Sequence, residues 1–410
     1  MQEGIFCEKI CRAGGQLYIA GGWVRDKVRG VTAKDKDYVV AALAEADFCR
    51  MFPAAIRVGK AFPVYLLEVD GQKSEVAFAR REKKSGHGYR GFSVFCDEMI
   101  TIEEDLYRRD TTMNSMAWKL PEKILIDPYG GSRDIEEKLI RATSHHFSED
   151  PVRALRVSRQ AAEMDFSVET KTIMMMQACK EELAEETQER FFQELVKALH
   201  CQKPSVFFRV LQAAALLEIV FPELFALCGK TQPQEFHPEG DAFEHSMNLL
   251  DEVAAAGQSV LVRFAALIHD IGKGVTLVKD LPHHYGHEVK GVAVFKAWAR
   301  RMTFPRTWQQ AAEFIIQEHM RAPRLTKPGK IVELLLSAEK NPLGLAGVSA
   351  VILADHKSLP DYLLHYERYV GALRAVRGSS VPPELSGPQI GAWLRQKQIQ
   401  AYLSAVAAGN

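Results

Sequence analysis

The sequence lacks the features that mark membrane-spanning, exported and disulfide-linked proteins. Its 410 residues contain no apolar run near the ~20 residues that cross a bilayer. The first residues, MQEGIFCEKICRAGG, show no basic segment followed by an apolar one, so we expect no export signal. The 7 cysteines are scattered, odd in number and contain no CxxC pair, which predicts reduced thiols in a cytoplasmic protein and argues against a zinc ribbon.

Net charge is also missing, because 52 Lys and Arg residues balance 52 Asp and Glu residues. Overall composition therefore gives no support for a nucleic-acid partner. The positive charge is nevertheless clustered in the N-terminal half, near a pair of carboxylates described below. Each cluster alone is typical of a solvated surface, but together they favour a phosphate-rich ligand. The clusters are Arg80, Arg81, Lys83, Lys84 and Arg90; Arg108 and Arg109; and Arg153, Arg156 and Arg159.

The pattern of apolar residues changes near residue 140, which predicts at least two domains. After this point strand patterns fade and helical patterns continue, beginning with the run that follows Pro151. Loops are predicted at Pro233–Gly240 and near residue 380, the second before a short C-terminal helix. The part before residue 140 reads as an α/β or α+β domain with strands at Leu17–Ala20, Tyr38–Val40, Val64–Val69, Ser74–Phe78 and Ile124–Ile126.

The segment between residues 18 and 40 carries the strongest chemical signal. It reads as a strand, a glycine turn, a helix and a second strand with two aspartates. Residues two apart on a strand share a face, and two carboxylates on one face can hold Mg²⁺ together with a nucleotide triphosphate. Glycine lets backbone N–H groups approach phosphate closely, and arginine can bind two phosphate oxygens. The residues concerned are Gly21, Gly22, Arg25, Asp35 and Asp37.

Two further carboxylates belong to this pattern. Glu75 lies on a later predicted strand and fits a third metal ligand and an exposed strand residue equally well. Asp26 is predicted to be structural and to orient its neighbour Arg25.

Asp150, Arg153 and Arg156 form a second group at the start of a predicted helix. Asp150 is the expected N-cap, with Pro151 at the first helical position, and arginines three residues apart share a helix face. A capped helix with a solvated basic stripe would look the same. In the alternative, a carboxylate accepts from the amino group of cytosine or adenine and a guanidinium donates to the ring nitrogen, a pairing that G and U would leave unsatisfied.

The C-terminal half is rich in histidine around one adjacent His–Asp pair. His269 and Asp270 stand near the end of an apolar helix, with His245 upstream. Imidazole together with carboxylate suits Ni²⁺, Mn²⁺ or iron as well as Mg²⁺, so these three residues are candidate metal ligands. Further ligands or phosphate contacts are expected from His283, His284, His287 and His319.

Five motifs, in this order along the chain, resemble those of the class II nucleotidyltransferases, which include CCA-adding tRNA nucleotidyltransferases and bacterial poly(A) polymerases. They are GGWVRD with DKD, LYRRDTTMNSMAW, DPYGG, EDPVRALRVSR and ERFFQEL. The segment RFAALIHDIGKG in addition resembles the HD phosphohydrolase motif. As an ordered set the motifs are most similar to bacterial CCA-adding enzymes that carry a C-terminal HD domain.

The resemblance implies an α+β fold, with a polymerase β-like α/β head followed by an all-helical neck, body and HD domain. The expected domains are a nucleotidyltransferase head (1–140), a neck and body (141–235), an HD domain (236–345) and a helical tail (346–410). The resemblance also implies addition of CCA to the tRNA acceptor arm from CTP and ATP, with Mg²⁺ at Asp35 and Asp37. We expect a monomer or a homodimer in the cytoplasm, without a membrane.

Nine residues match nucleotide-binding positions of the family: Gly21, Gly22, Arg25, Arg109, Asp110, Asn114, Asp150, Arg153 and Arg156. Arg109 would contact the triphosphate, and Asp110 or Asn114 would help to hold the ribose. DPYGG would be a hinge. Thr111 stands where the family has Phe, and Met113, Ser115 and Met116 also depart from its pattern, which predicts altered packing with activity retained.

The HD part departs from the pattern as well. Met320 stands where enterobacterial relatives tend to carry Asp, and Asp355 is a substitute candidate for the distal metal ligand. The HD domain is therefore expected either to hydrolyse phosphate esters or to serve as an inactive scaffold or tRNA-binding surface.

Three other functions stay open. A poly(A) polymerase shares the head motifs, but the HD half and the lack of a long basic tail argue against it. The second is an enzyme that adds CC alone or A alone. The basic loop with Gly86, Gly88 and Gly91 argues against an enzyme that adds CC alone. The same loop is expected to gate the change from CTP to ATP. The third is an HD phosphohydrolase or phosphodiesterase whose head binds RNA without catalysis, which intact Asp35 and Asp37 argue against.

Overall fold

The computed structural model describes residues 1–33, 35–59, 63–84, 86, 92–235 and 237–408. The chain divides into two compact units. The first comprises Met1–Glu194 and Val206–Val220, and the second comprises Leu195–Ser205 and Phe221–Asn410. Among the helices described, none combines the length and the apolar character needed to cross a membrane.

The described strands all lie in the first unit. They are β1 (Gln16–Ala20), β2 (Asp37–Ala41), β3 (Ile56–Val58), β4 (Val64–Val69), β5 (Gln72–Phe78), β6 (Arg80–Lys84), β7 (Phe92–Cys96), β8 (Ala117–Leu120), β9 (Ile124–Ile126), β10 (Leu139–Ile140) and β11 (Ser167–Val168).

The helices of the first part are α1 (Glu3–Arg12), α2 (Gly22–Val28), α3 (Glu45–Met51), α4 (Ile102–Tyr107), α5 (Gly131–Glu136), α6 (Val152–Met164), α7 (Thr170–Ala178), α8 (Lys180–Ala184), α9 (Gln188–Leu199), α10 (Ser205–Ala213) and α11 (Leu217–Val220). Those that follow are α12 (Pro222–Phe225), α13 (Ala242–Ala255), α14 (Val260–Ile268), α15 (His287–Met302), α16 (Arg306–Glu318), α17 (Pro328–Lys340), α18 (Gly344–His356), α19 (Asp361–Leu364), α20 (Tyr366–Ala375) and α21 (Pro388–Ala407). Short 3₁₀ helices lie at Thr112–Asn114, His145–Glu149, Ile271–Val275, Val278–Asp280, Ala322–Arg324 and Gly378–Ser380.

Within the described residues, seven strands form one sheet in the order β3-β4-β5-β2-β1-β8-β9. Because β1 and β2 are antiparallel, Ala20 at the end of β1 faces Asp37 at the start of β2. The parallel neighbour β5 places Glu75 opposite Asp37. The glycine turn after β1 therefore lies beside two carboxylates at one edge of the sheet.

Alternating side chains give the sheet two apolar faces. One face packs under α4, where Tyr18 and Val39 share a buried cluster with Leu106. On the other face, Tyr38 contacts Phe6 of α1 with ring centroids 5.4 Å apart. Burial on both faces fixes the register of the strands, because a slip by one residue would exchange the two faces.

The second unit is built from packed helices in its described part. Asp241 caps α13 by accepting from the N–H groups of Phe243 and Glu244, and Ser259 caps α14 by accepting from Val262. α13 and α14 pack on each other, and α14 also packs on α16 and α18. The ends of these helices meet near residue 270, where the histidines of the sequence pattern gather.

The fold confirms the predicted α+β class, and all five predicted strands are present. The aspartate pair is corrected: β2 begins at Asp37, so Asp35 precedes the strand and the shared-face argument does not apply to it. α6 begins at Val152, although the N–H of Val152 does donate to Asp150 at 3.2 Å.

Two continuous helical patterns are interrupted, between α8 and α9 and between α10 and α11, and the C-terminal helix α21 is 20 residues long rather than short. Of the predicted gating loop, Gly86 is described, whereas Gly88 and Gly91 lie outside the described residues. All seven cysteines lie in the described part, and none forms a disulfide.

Candidate functional site

The glycine turn after β1 approaches one arginine very closely. Gly21 has φ 79° and ψ −137°, a conformation that side chains disfavour, and a Cβ there would lie 3.1 Å from Arg109 Nη1. Arg109 Nη2 donates to the buried carboxylate of Asp105 at 3.1 Å. Arg25 Nε donates to Asp26 at 3.0 Å, so Asp26 orients Arg25 as predicted. Two guanidinium groups thus flank a turn whose backbone is free of side chains.

Three carboxylates crowd the edge of the sheet beside this turn. Asp37 remains accessible, but the protein around it removes much of its water. This desolvation, with the negative charge of Glu75, raises the pKa of Asp37 to about 6 against the opposing effect of Arg109. Asp35 adds a smaller effect of the same sign as Glu75. Desolvation is the largest cause of this rise in pKa, and a cation beside the carboxylates would offset both the desolvation and the repulsion from Glu75.

A buried hydrogen-bond network joins this edge to α6. Arg25 Nη1 donates to Asn114 Oδ1 at 3.2 Å, and Asn114 Nδ2 donates to Asp110 Oδ1 at 3.1 Å. Arg156 Nη2 of α6 lies 2.9 Å from Asp110 Oδ2. Burial alone would raise the pKa of Asp110, but Arg156 and Asn114 outweigh it and lower that pKa to about 2. Asp110 therefore stays ionised and links two of the predicted nucleotide-binding arginines.

Asp150 and Arg153 are three residues apart on the chain and have different partners. Asp150 accepts from Arg190 Nη2 at 3.1 and 3.2 Å, which ties the EDPVRALRVSR motif to the ERFFQEL motif. Arg153 is buried, and its Nη1 donates to the carbonyl of His146 at 2.6 Å. Both side chains are held in place by protein partners without pairing directly with each other.

In the second unit, His245, His269, Asp270 and Asp355 form one buried group, hereafter the first HD group. His245 Nε2 lies 3.1 Å from Asp355 Oδ1, and His269 Nε2 lies 3.2 Å from Asp270 Oδ2. Each histidine lies 3.8 Å from the other carboxylate. Asp355 comes from α18 and lies beyond residue 345, so the distal carboxylate that the sequence left uncertain is brought into the group.

Asp270 also belongs to a second group, hereafter the second HD group. Its Oδ1 lies 3.2 Å from His287 Nε2 and 3.3 Å from His319 Nε2. The two Nε2 atoms are 3.2 Å apart. Asp270 thus offers one oxygen to each group. His283 and His284 lie outside both: His283 stacks on Tyr285, and His284 bonds Thr276 and the Thr231 carbonyl.

The second ring nitrogen, Nδ1, of each of the four histidines lies against an oxygen that can accept a hydrogen bond. A proton on Nδ1 would leave Nε2 of each ring to bind a cation. In His287 and His319 the two Nε2 atoms face each other. The acceptors are Glu239 for His245 (2.6 Å), Ala266 O for His269 (2.8 Å), His284 O for His287 (2.8 Å) and Ile316 O for His319 (3.0 Å).

The electrostatics of the first HD group favour a positive charge. Burial alone would lower the pKa of His269, but Asp270 beside it outweighs burial and raises that pKa. Burial alone would raise the pKa of Asp270, yet Lys273 at 2.5 Å and His269 hold it well below its usual range. His269 Nε2 is buried without a well-aligned hydrogen bond in the described structure.

A cavity of about 1010 Å³ opens beside the second HD group. It is lined by His287 and by the cationic side chains of Lys273, Arg321 and Arg324, with Tyr285 at its wall. Glu288 and Glu318 also line the cavity, and Arg321 pairs with Glu318 at 2.7 Å, so cationic and anionic side chains face the same space.

Four residues of these sites were missed by the sequence reasoning: Asp105, Gln160, His237 and Glu239. Asp105 and Gln160 hold the arginine motifs from buried positions. Gln160 follows Arg156 by four residues, a spacing that places both on one helix face and gave a usable signal. Glu239 and His237 stand in the predicted loop before α13, where His237 Nδ1 lies 3.4 Å from Glu239. Loop residues carry no periodicity, so no pattern marked them.

Comparison with known families divides the chain in the same order as its motifs. Residues 17–141 match the Poly A polymerase head domain. Residues 165–228 match the Probable RNA and SrmB-binding site of polymerase A, and residues 242–358 match the HD domain. The HD match includes Asp355.

Similar curated proteins extend over nearly the whole chain. The Multifunctional CCA protein of Paracidovorax citrulli is 35% identical over 425 residues, covering 96% of this chain and 98% of that protein. The chain belongs to the multifunctional CCA protein family. Another member, from Pseudomonas fluorescens, is 36% identical over 416 residues and covers 94% of this chain and 97% of its own. The family member from Aromatoleum aromaticum is 42% identical over 326 residues, covering 78% of this chain and 79% of that protein.

Solved structures share the fold of this multifunctional CCA family member. A CCA-adding enzyme in complex with ATP has a TM-score of 0.66 at 21% identity and covers 97% of this chain and 88% of that chain. The Bacillus stearothermophilus CCA-adding enzyme in complex with CTP has a TM-score of 0.66 at 21% identity, covering 98% and 91%. At this identity the likeness establishes the fold alone.

Proposed function

We propose that this chain adds the 3′-terminal CCA to tRNA from CTP and ATP and releases pyrophosphate. The observation that carries the proposal is the meeting of Asp37, Glu75 and the Gly21 turn at one sheet edge, with Arg25 and Arg109 beside it. Membership of the multifunctional CCA family supports the same reaction. Carboxylates for a divalent cation and guanidinium groups for a triphosphate are the parts that nucleotidyl transfer requires.

The donor set at the sheet edge fits Mg²⁺, which prefers carboxylate oxygens and substrate phosphates. Asp35 and Asp37 would hold it, with Glu75 as a further carboxylate. When bound, Mg²⁺ would lower the pKa of the attacking 3′-hydroxyl and neutralise charge on the leaving pyrophosphate. The position of Asp37 opposite Glu75 supports this assignment, because a cation would offset the desolvation of Asp37 and its repulsion from Glu75, which raise its pKa in that order of size.

The chain's own side chains position the nucleotide. The Gly21–Gly22 backbone admits the triphosphate closely, and Arg109, anchored on Asp105, would donate to its oxygens. Asp150, together with the guanidinium of Arg153 or Arg156, would read the Watson–Crick edge of C or A, accepting from the amino group and donating to the ring nitrogen. A base that presents the opposite polarity would place an acceptor against the carboxylate and a donor against the guanidinium, which gives selection without a template.

The remaining helices would hold the tRNA acceptor arm through its backbone and shape. We propose that the head spans 1–140 and the neck and body 141–235. The HD domain expected at 236–345 is proposed to extend through α18, which supplies Asp355, with the tail after it. We also propose that the protein works in the cytoplasm as a monomer or a homodimer.

For the second unit we propose a metal-dependent phosphohydrolase or phosphodiesterase. The four Nε2 atoms gathered around Asp270 and Asp355 carry this proposal, because imidazole nitrogens close to carboxylates fit divalent cations. Ni²⁺, Mn²⁺ or Mg²⁺ would be held by His245, His269 and Asp270 with Asp355. Such a cation, when bound, supplies a hydroxide and polarises a phosphoryl oxygen. Glu239 would orient His245, and the cationic side chains of the adjoining cavity would bind the phosphate.

Incorporation of labelled CTP and ATP into tRNA that lacks CCA tests the first proposal. We expect synthesis to stop after three nucleotides, with A added after two C. A long A ladder would instead indicate a poly(A) polymerase. An absence of incorporation with Mg²⁺ would overturn the transferase proposal.

Two double variants separate the activities and serve as controls for each other. Asp35→Ala with Asp37→Ala is expected to abolish incorporation and to spare phosphatase activity measured with Ni²⁺ or Mn²⁺. His269→Ala with Asp270→Ala is expected to do the reverse. Loss of both activities in either variant would contradict the assignment of one reaction to each unit.

A further inference from the structure

Thr111 and Gln160 form a buried polar pair between the arginine motif and α6. Thr111 Oγ1 donates to Gln160 Oε1 at 3.0 Å, and Gln160 Nε2 donates to Asp110 Oδ2 at 3.2 Å. Thr111 is 0% exposed and Gln160 is 1% exposed, so neither group has water as an alternative partner. Two buried polar groups at such a place need a partner each, and the pair satisfies both.

The acceptor capacity of Asp110 is filled by this arrangement. Oδ1 accepts from the Thr111 N–H at 2.8 Å and from Asn114 Nδ2 at 3.1 Å. Oδ2 accepts from Gln160 at 3.2 Å and lies 2.9 Å from Arg156 Nη2. A carboxylate offers about four lone-pair positions, so all of them are used. Asp110 is thus fixed from four directions.

Arg156 is held at its guanidinium by Asp110. Its side chain is 44% exposed although its partner Asp110 is buried. Gln160 follows one helical turn later on the same face of α6, so Gln160 and Arg156 both contact Asp110 Oδ2. Without the amide of Gln160, Oδ2 would keep Arg156 while Oδ1 would keep the Thr111 N–H and Asn114, so Asp110 would be held less firmly on the side that meets Arg156.

We propose that Gln160, tethered by Thr111, is a positioning residue that fixes Asp110 and through it the guanidinium of Arg156, so that discrimination among nucleotides depends on this pair. The inference rests on the proposed nucleotidyl transfer. It also gives Thr111 a role: where the family pattern has Phe, this chain places a hydroxyl that holds Gln160. Selection of C and A then depends on a rigid Arg156 and falls when Arg156 can move.

The test uses the full-length chain and compares kcat/KM for CTP with that for UTP on tRNA lacking CCA. Thr111→Val removes the hydroxyl at equal size, and Gln160→Leu removes the amide. Each is expected to reduce the preference for CTP by about tenfold, the effect of one well-placed hydrogen bond, through a higher KM for CTP. Thr111→Ser keeps the hydroxyl and is expected to retain the preference.

Ser158→Ala is the matched control. Ser158 is buried on the same helix, and its hydroxyl donates to the Ala154 carbonyl without touching Asp110. It is expected to lower the melting temperature slightly and to leave the nucleotide preference unchanged. Because Thr111 acts through Gln160, adding Thr111→Val to Gln160→Leu is expected to cause no further loss of preference.

Three results would overturn the inference: an unchanged preference for CTP in Thr111→Val, an equal loss in Thr111→Ser, or additive losses in the double variant. If Gln160→Leu fails to fold, the Val and Ser variants at position 111 still decide the question. A wild-type chain that adds neither C nor A would overturn the proposed function itself. A wild-type chain that adds both, with variants of unchanged preference, would overturn the positioning role alone.

Discussion

At the residue scale, Asp105 determines where the two adjacent arginines of the RRD motif lie. Its carboxylate is 1% exposed. It accepts from Arg108 through one oxygen and from Arg109 through the other, the latter at 3.1 Å. Arg108 also donates to Glu82 at 2.6 Å. The arginine beside the glycine turn therefore cannot move without breaking a buried ion pair, which is costly.

Asp105→Asn is expected to destabilise the first unit by about 2 kcal/mol at pH 7. Burial alone would raise the pKa of Asp105, but Arg108 and Arg109 outweigh it and lower that pKa to about 2. A lowered carboxylate pKa contributes stability above the unfolded value of ~3.9 and loses it as pH falls toward the folded value. Urea unfolding at pH 7 and pH 3 should therefore show a smaller difference between variant and wild type at pH 3.

The exposed Glu103 on the same helix supplies the control for that experiment. Glu103→Gln is expected to change stability by less than ~0.5 kcal/mol at both pH values, as surface substitutions usually do. A difference between Asp105→Asn and wild type that stays constant from pH 7 to pH 3 would contradict the ion-pair account.

Gly21→Ala is expected to abolish nucleotide incorporation. The new Cβ would lie 3.1 Å from Arg109 Nη1 and would require a backbone conformation that alanine rarely adopts. Gly30→Ala is the control, because Gly30 also has positive φ, at 71°, but has no atom within 4 Å of the new Cβ. Incorporation assays should show activity in Gly30→Ala and none in Gly21→Ala. Equal activity in both would disprove the importance of the close approach.

Residue identities were predictable where chemistry depends on neighbours along the chain. Gly21, Arg25 and Asp37 fall within one strand–turn–strand segment, so their meeting followed from the sequence. Asp355 was a candidate ligand from the sequence and Gln160 shares a helix face with Arg156, but the contacts of neither residue were predictable. Their partners come from distant segments, and three-dimensional packing of helices determines which side chains meet.

At the element scale, the end of α10 shows how packing overrides local preference. The sequence reads as one helix from 207 to 221, since Ala213, Ala214 and Ala215 favour helix. Ala215 instead adopts φ 53°, and the N–H of Leu216 donates to the Leu211 carbonyl at 2.8 Å, closing the helix in a Schellman-like turn. Glycine usually occupies this position, so alanine gave no sign of the break.

Ala215→Gly is expected to stabilise the first unit by about 1 kcal/mol, because glycine carries no penalty for positive φ. Ala213→Gly, two residues earlier, is the matched control. Both alanines are exposed, but Ala213 is helical, so glycine there should destabilise by a similar amount. Opposite shifts in the thermal midpoint support the assignment, whereas a destabilised Ala215→Gly would contradict it.

The sequence predicted the strands and most helices because alternation and helical periodicity are local properties. It did not predict that β2 begins after Asp35, nor that the run from 181 to 199 divides into α8 and α9. Helix-forming residues occupy both sides of the boundary between α8 and α9, so composition changes little there. Burial of Leu183 and Phe191 in the core accompanies the division.

At the scale of the whole molecule, two units carry chemically different sites. The first offers carboxylate oxygens and guanidinium groups, and the second offers imidazole nitrogens with two carboxylates. Hard cations suit the first set and borderline transition metals suit the second. We therefore expect the two units to respond to different ions.

Mn²⁺ without nucleotide is expected to protect the second unit. At about 100 times its dissociation constant, a ligand of the folded state adds about 2.7 kcal/mol of stability. Hydrogen–deuterium exchange should slow in α13 and α14, and the thermal midpoint should rise. Asp355→Asn should lose most of the effect, whereas Asp37→Asn should keep it. Equal protection in wild type and Asp355→Asn would contradict a role for Asp355 in the first HD group.

The position of Asp355 has a consequence for dissecting the protein into parts. A fragment cut at the expected end of the HD domain, residue 345, would keep His269 and Asp270 but lose the carboxylate that faces His245. Such a fragment would be inactive because it lacks Asp355, and it could be mistaken for a naturally inactive homologue. Expression of the HD domain by itself therefore requires the whole of α18. An inactive shorter fragment would give no information about the activity of the intact chain.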